Sequence, residues 1–243
     1  MADAGVGVGD RVLEVGAGLG SLTIALAEAG CRVLAVEFDR RVVPALREVV
    51  GDHAGVRVEQ IDATRADWRA LLGEGSWSMV SNLPYNISVP LVLELLETVP
   101  RVHRYLVMVQ REVGERLTAG PGAPGYGPVS LRVAYRARTE LVRRVPGGVF
   151  WPRPSVDSVL VRLDPQPPPV GVGPEVLFRL VEEGFAERRK TMTNALRRLG
   201  LELGDASRLL TSAGVPPSTR AEDLGLEAFA RVAAVLEQEG APA

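Results

Sequence analysis

The chain is poor in the residues that build metal centres and covalent cross-links. Its 243 residues include one cysteine, Cys31, and two histidines, His53 and His103. A single thiol excludes an internal disulfide framework and any thiolate-rich zinc or iron–sulfur site. The two imidazoles have no metal-ligand spacing, so no metal is expected. Lysine is nearly absent too: Lys190 is the one exception among 28 basic residues, the rest being arginine. No opening hydrophobic run resembles a signal peptide, and no run of about 18 apolar residues is long enough to span a membrane. A cytoplasmic protein with no membrane partner is therefore expected. Neither an internal repeat nor an oligomerisation stripe is visible, so a monomer is expected as well.

What is present fits a globular chain large enough for one full domain and a small second one. The formal net charge of −2 conceals a strong partition. Residues 1–100 carry 8 basic and 14 acidic side chains, residues 101–162 carry 11 and 4, and residues 163–243 carry 9 and 12. A positive middle rich in guanidinium forks can meet phosphates despite the acidic total, although a solvated charged face has the same composition.

Hydrophobic patterning orders the chain into strands and helices. Arg11–Val15 reads as a buried strand and Leu19–Ala29 as a helix with Leu22, Ala25, Leu26 and Ala29 on one face and Gly30 as its stop. Strands follow at 32–37, 56–61, 76–81 and 104–110, with helices at 41–50 and 89–98. Apolar strands alternating with helices predict an α/β sandwich around a mainly parallel sheet. Residues 120–127 hold four glycines and two prolines and are expected to form a loop. Further strands are expected at 131–139, 140–145 and 158–163. After a proline-rich linker the pattern is helical at 175–187, 191–199, 206–213 and 226–239, which places a domain boundary near 165–175.

Two motifs carry chemistry. In the first, Glu14-Val15-Gly16-Ala17-Gly18-Leu19-Gly20, the glycines sit where a tight turn lets a ligand approach backbone between strand and helix. A dinucleotide fold would use this turn for pyrophosphate. Glu14, two residues before the first glycine, instead suits the ammonium of an amino acid, and S-adenosylmethionine has such an ammonium and no phosphate. Glu37 ends the second strand, where a carboxylate can accept both ribose hydroxyls. Asp62 ends the third and can accept from a cofactor adenine amine, with Ala63 supplying a backbone N–H. Each acid alone reads as a cap or a surface carboxylate. Three acids at successive strand C-terminal ends point to a ligand, because that edge is where such sheets bind one.

The second motif is Asn82-Leu83-Pro84-Tyr85-Asn86-Ile87-Ser88, beginning where the fourth strand ends. The N6 amine of adenine is a weak nucleophile because its lone pair is delocalised into the ring. The Asn82 side-chain oxygen and the Leu83 carbonyl form an acceptor pair that would orient the amine hydrogens and favour a pyramidal nitrogen. Pro84 restricts the residue before it and so aims that carbonyl, and Tyr85 can stack on the base. In isolation the same residues read as a strand-to-loop turn with a packed tyrosine.

With these residues in view, the chain closely resembles the small-subunit ribosomal RNA adenine N6,N6-dimethyltransferases. The resemblance rests on E-V-G-A-G-L-G at 14–20, V-E-F-D at 36–39, Asp62-Ala63, N-L-P-Y-N-I-S at 82–88 and Q-R-E-V-G-E-R-L at 110–117. It continues with A-G-P at 119–121, Y-G-P-V-S at 126–130, F-W-P-R-P-S-V-D-S at 150–158, R-R-K-T-M-T-N-A-L at 188–196 and R-A-E-D-L at 220–224. It implies a Rossmann-like S-adenosylmethionine-dependent methyltransferase sheet over 1–165 and a small all-helical rRNA-binding domain over 175–243. The activity it implies is methyl transfer to N6 of two adjacent adenines near the 3′ end of 16S rRNA, with the small ribosomal subunit as partner. Carried over, Glu14, Gly16, Gly18, Gly20, Glu37, Asp62, Ala63 and Asn82 would bind the cofactor. Asn82, Leu83, Pro84 and Tyr85 would hold the target amine and Phe150 would sandwich the flipped adenine. Arg153, Arg188, Arg189 and Lys190 would contact RNA.

One departure concerns the opening. Family members carry a further glutamine-containing segment before the first strand that closes over the cofactor, whereas this chain reaches its glycine turn at residue 16. Either translation starts upstream or the cofactor pocket is open on one side. Two other functions remain in view. The large-subunit rRNA methyltransferases of antibiotic resistance tend toward N-I-P-Y where this chain has Leu83. A non-catalytic small-subunit assembly factor would bind the subunit without transferring methyl. A nicotinamide dehydrogenase fits least, because neither histidine is placed to shuttle a proton.

Overall fold

In a computed structural model of the chain, residues 2–150, 156–187 and 189–238 are described. Two compact units emerge, one of residues 1–114 and 137–165, the other of residues 115–136 and 166–243.

The first unit is built on a seven-stranded sheet. After a short 3₁₀ turn at Ala2–Ala4 come β1 (Arg11–Val15), α1 (Ser21–Glu28), β2 (Arg32–Glu37), α2 (Val43–Val50), β3 (Val56–Gln60), α3 (Trp68–Leu72), β4 (Trp77–Asn82), α4 (Ser88–Thr98) and β5 (Val102–Gln110). Next are α5 (Arg111–Thr118) and α6 (Pro128–Arg136), then β6 (Ala137–Val145) and β7 (Ser158–Pro165). The spatial order is β3-β2-β1-β4-β5-β7-β6. Strands β1 to β5 run parallel, and β7 joins β5 antiparallel with β6 antiparallel beyond it. The central strands are apolar on both faces because helices cover both, and Val12, Leu13, Val33, Leu34, Met79 and Val107 are at most 2% exposed.

Strand order reverses between β1 and β4, and a crevice forms outside the carboxyl ends of the strands at such a switch point. Here it opens early. β1 pairs with β4 only through Val12↔Ser78 and Leu13↔Met79. Further along, the buried Ser81 hydroxyl accepts from the Val15 amide at 2.9 Å and stands in for the ladder. Both chemistry-bearing motifs leave the sheet at this place.

The second unit holds α7 (Pro174–Ala186), α8 (Met192–Arg198), α9 (Leu203–Ser212) and α10 (Leu226–Gln238). Its core joins Leu177, Leu180, Val181, Met192, Leu196, Leu209, Leu210, Phe229 and Val232. The division differs from a single boundary between 165 and 175. The chain enters the second unit at Glu115, returns at Ala137 and leaves again after Pro165. Residues 115–136 belong there because Tyr126, Leu131 and Tyr135 are buried in the helical core.

The strand expected at 131–139 is a helix up to Arg136, followed by one long strand, β6. Leu131, Val133 and Tyr135 are all buried, so their alternation imitates a strand. Burial on more than one side of a helix gives the same pattern.

Candidate active site

Glu14 is 2% exposed at the end of β1. Its carboxylate accepts from the Thr23 hydroxyl of α1 at 2.6 Å. Burial pushes its pKa up from 4.5 to about 7, against the lowering effect of the Thr23 bond and with a further push from the charge of Glu37. Beyond it the chain turns on glycines. The amides of Gly16 and Ala17 both donate to the carbonyl of Val36, at 2.8 and 3.2 Å, and tie the turn to β2. Gly16 has φ +78°, and a Cβ there would stand 2.9 Å from Cδ of Pro84 and 3.3 Å from the carbonyl oxygen of Asn82. Only glycine lets the two motifs meet.

Glu37 is half-buried at the end of β2. One carboxylate oxygen accepts from the Gly18 amide at 2.8 Å and the other from the Asp39 amide at 2.9 Å. Two amides fix the carboxylate while lone pairs remain for a diol. The next residue, Phe38, is 69% exposed at the same strand end. Asp62 follows β3 and caps its own turn, accepting from the amide and hydroxyl of Thr64 at 3.0 and 2.7 Å. These bonds hold its carboxyl below the usual range, and Ala63 beside it is buried.

At the end of β4, Asn82 is exposed and Leu83 buried. The Leu83 amide donates to the Met108 carbonyl at 3.0 Å, which holds the segment to β5. A turn closes from the Ile87 amide to the Pro84 carbonyl at 3.2 Å, and the Ser88 hydroxyl donates to the Tyr85 carbonyl at 3.2 Å. These bonds leave Tyr85 presented to solvent, 44% exposed. Phe150, half-buried, follows a 3₁₀ turn at Gly147–Val149.

A cavity of about 560 Å³ brings part of this set together. Glu14, Gly16, Gly18, Asn82 and Phe150 line it. Gly20, Glu37, Asp62, Ala63, Leu83, Pro84 and Tyr85 are not among its lining residues; they stand at the strand ends and turns around them. Arg153 and Arg188 lie outside the described residues, while Arg189 and Lys190 are exposed after α7 in the second unit.

Several participants were not singled out from the sequence. Thr23 and Ser81 are buried polar residues inside apolar elements, a signal that could have found them. Arg143 lines the cavity, as do Asp3 and Ala4 of the opening segment. Asp3 pairs with Arg143 at 2.6 Å, its carbonyl accepts from Arg162 at 3.1 Å, and the Gly5 carbonyl accepts from Arg104 at 3.2 Å. The opening residues thus form part of the cavity wall.

The residues present fit S-adenosylmethionine. A buried carboxyl beside a cavity suits an ammonium, the glycine turn admits a ligand to backbone, and an amide-held carboxylate suits ribose hydroxyls. Among solved structures, the fold superposes on a dimethyladenosine transferase from Plasmodium falciparum with a TM-score of 0.82 at 22% identity, covering 98% of this chain and 94% of that one. It also superposes on the 23S rRNA methyltransferase ErmE with a TM-score of 0.75 at 25% identity, covering 98% and 95%. Fold and site together define an S-adenosylmethionine-dependent methyltransferase with a Rossmann-like sheet. The chain is 42% identical to ribosomal RNA small subunit methyltransferase A of Cutibacterium acnes over 98% of its own length and 83% of that protein. Its identity to the protein of the same name from Moorella thermoacetica is 40%, over 96% and 85%. With a family-model match over residues 4–238, it belongs to the ribosomal RNA adenine dimethylase family.

Proposed function

We propose that this protein transfers methyl groups from S-adenosylmethionine to N6 of two adjacent adenines near the 3′ end of 16S rRNA, during small-subunit assembly in the cytoplasm. The observation that carries this reading is the contact between the two motifs: Gly16 has room for no Cβ against Pro84, so the cofactor turn and the Asn82–Tyr85 segment adjoin at one switch point.

When bound, S-adenosylmethionine supplies a methyl group on a sulfonium. The residues of the chain do the rest by holding and aiming. Glu14 with Gly16, Gly18 and Gly20 takes the amino-acid end, Glu37 the ribose, and Asp62 with Ala63 the cofactor's adenine. Oδ1 of Asn82 and the Leu83 carbonyl accept the N6 hydrogens of the target base, localising its lone pair toward the donor. Tyr85 and Phe150 hold the ring of the target between them. No strong general base is needed, because an alkylated N6 is cationic and releases its proton to water. The helical unit, with Arg189 and Lys190, engages rRNA.

Labelled methyl will enter undermethylated small subunits with this protein, and Asn82→Ala will abolish incorporation while Tyr85→Ala reduces it by about tenfold or more. Normal subunit binding without incorporation would favour a non-catalytic assembly factor instead. The likeness to a 23S rRNA methyltransferase keeps a large-subunit target in view, and mapping the modified nucleotide separates the two.

A further inference from the structure

The second unit contains a cavity of its own, about 400 Å³, lined by Arg116, Tyr126, Gly127, Val129, Glu182 and Phe185 among others. Its walls are built. The Ser130 hydroxyl donates to the Arg116 carbonyl at 2.7 Å and accepts from the Gly127 amide at 3.3 Å, which sews the loop before α6 onto α5. The Tyr126 hydroxyl donates to the Leu224 carbonyl at 2.6 Å. Phe185, near the end of α7, meets Tyr126 edge to face (5.9 Å, 72°) and stacks on Phe229 (6.2 Å, 24°). Neighbours on two sides fix the ring, yet it stays half-buried. Gly127 brings no side chain to it: a Cβ there would lie 4.0 Å from the ring.

Charge completes the site. Arg116 is in the lining, and the exposed Arg189 and Lys190 follow α7 four and five residues after Phe185. Among the described lining residues Glu182 is the one acid, and it is paired with Arg132 at 2.6 Å. An aromatic ring fixed in a small cavity, with a guanidinium in its lining and two exposed cations shortly after it in the chain, is an arrangement that can take a base by stacking and its backbone by charge. The size lies within the range of small-ligand pockets, about 300–1,000 Å³.

We propose that this cavity takes one unstacked nucleotide of the substrate rRNA, its base stacked on Phe185 and its phosphate met by Arg116 and the Arg189–Lys190 segment. It rests on the rRNA reading above and adds a second base-binding subsite, distinct from the one that holds the target adenine. Stacking of this kind tolerates any base, so the subsite grips single-stranded RNA without reading its sequence.

The test has two arms on the full-length protein. A single-stranded hexaribonucleotide carrying 2-aminopurine is titrated without S-adenosylmethionine into protein whose target-base site is disabled by Tyr85→Ala; its fluorescence will be quenched there, and no longer once Phe185→Leu is added. In the second arm, Phe185→Leu and Ala186→Trp, the latter crowding the rim from an exposed position, will raise KM for undermethylated small subunits about tenfold. Both variants will leave kcat and S-adenosylmethionine affinity unchanged, which also reports that they are folded. Quenching that survives Phe185→Leu, or an unchanged KM in both variants, overturns the subsite. Photocrosslinks from Tyr126 and Phe185 that map to a ribosomal protein and not to rRNA overturn it too. If the parent protein transfers no methyl, the proposed function falls, and the fluorescence arm still decides the cavity.

Discussion

Glu14 is a carboxyl taken out of water before any ligand arrives, and its pKa of about 7 ties stability to pH. Between 4.5 and 7 the folded protein keeps a proton that the unfolded chain has lost. Stability therefore falls as pH rises through that window and levels off above it, by about 3 kcal/mol. An ammonium bound beside Glu14 favours the charged form, so cofactor binding near pH 6 will release a proton. Calorimetric titrations in two buffers of different ionisation enthalpy will detect it, and Glu14→Gln will abolish both the release and the slope of stability with pH. Equal heats in the two buffers with the parent protein would sink the assignment. Tyr105 makes a separate case, with no part in the site. It is fully buried in β5, its hydroxyl has no hydrogen-bond partner among the described residues, and burial pushes its pKa up. An orphaned buried hydroxyl costs about 1–3 kcal/mol, so Tyr105→Phe will raise stability by about 1 kcal/mol in denaturant melts. A loss of stability would mean that the hydroxyl has a partner.

At the scale of elements, the site depends on how a turn meets a strand end. Gly16→Ala would force a side chain into a left-handed conformation, at about 1–2 kcal/mol, and press Cβ against Pro84. S-adenosylmethionine affinity will fall at least about tenfold, whereas Gly120→Ala, with open space around its position, will leave it unchanged. Equal affinities in a calorimetric titration would mean that the turn yields without disturbing the site. The turn and the Asn82–Ser88 segment are legible in sequence because each is a short contiguous motif at a strand end, and strand order alone brings such ends together. The residues that escaped notice work through partners far along the chain. Thr23 acts on Glu14 across nine positions, Ser81 on Val15 across 66, and Asp3 meets Arg143 from the opposite end of the unit. Arg143 owes its placement to a bulge: Leu141 pairs with Val161 and Arg143 with Leu160, leaving Val142 unpaired in β6. Such a two-against-one step turns a strand locally, and a period-two pattern does not reveal it. The same limit explains α6, where buried residues at alternate positions imitate a strand.

For the whole molecule, the formal net charge of −2 argues against binding a polyanion, but its distribution along the chain does not. Residues 101–162 carry 11 basic and 4 acidic side chains, while residues 1–100, which supply the glycine turn and the strand-end acids, carry 8 and 14. An acidic surround suits a cofactor that is cationic at its ammonium and sulfonium and would tend to repel RNA phosphate. The basic middle and the exposed Arg144, Arg189 and Lys190 supply the opposite field. The two ligands should therefore respond differently to salt. Each phosphate neutralised on single-stranded RNA contributes about −0.7 to the slope of log affinity against log salt concentration. With four to six phosphates engaged, the slope for small-subunit rRNA will be about −3 to −4. S-adenosylmethionine binding, in a partly enclosed cavity where screening is weak, will change little over the same range. Replacing both Arg189 and Lys190 by glutamine will make the rRNA slope shallower by about 1.4 and leave the cofactor curve in place. Filter binding across a salt series, run beside cofactor titrations in the same buffers, measures both. A slope near zero for rRNA would mean that the basic middle is a solvated face, and that recognition rests on stacking and shape alone.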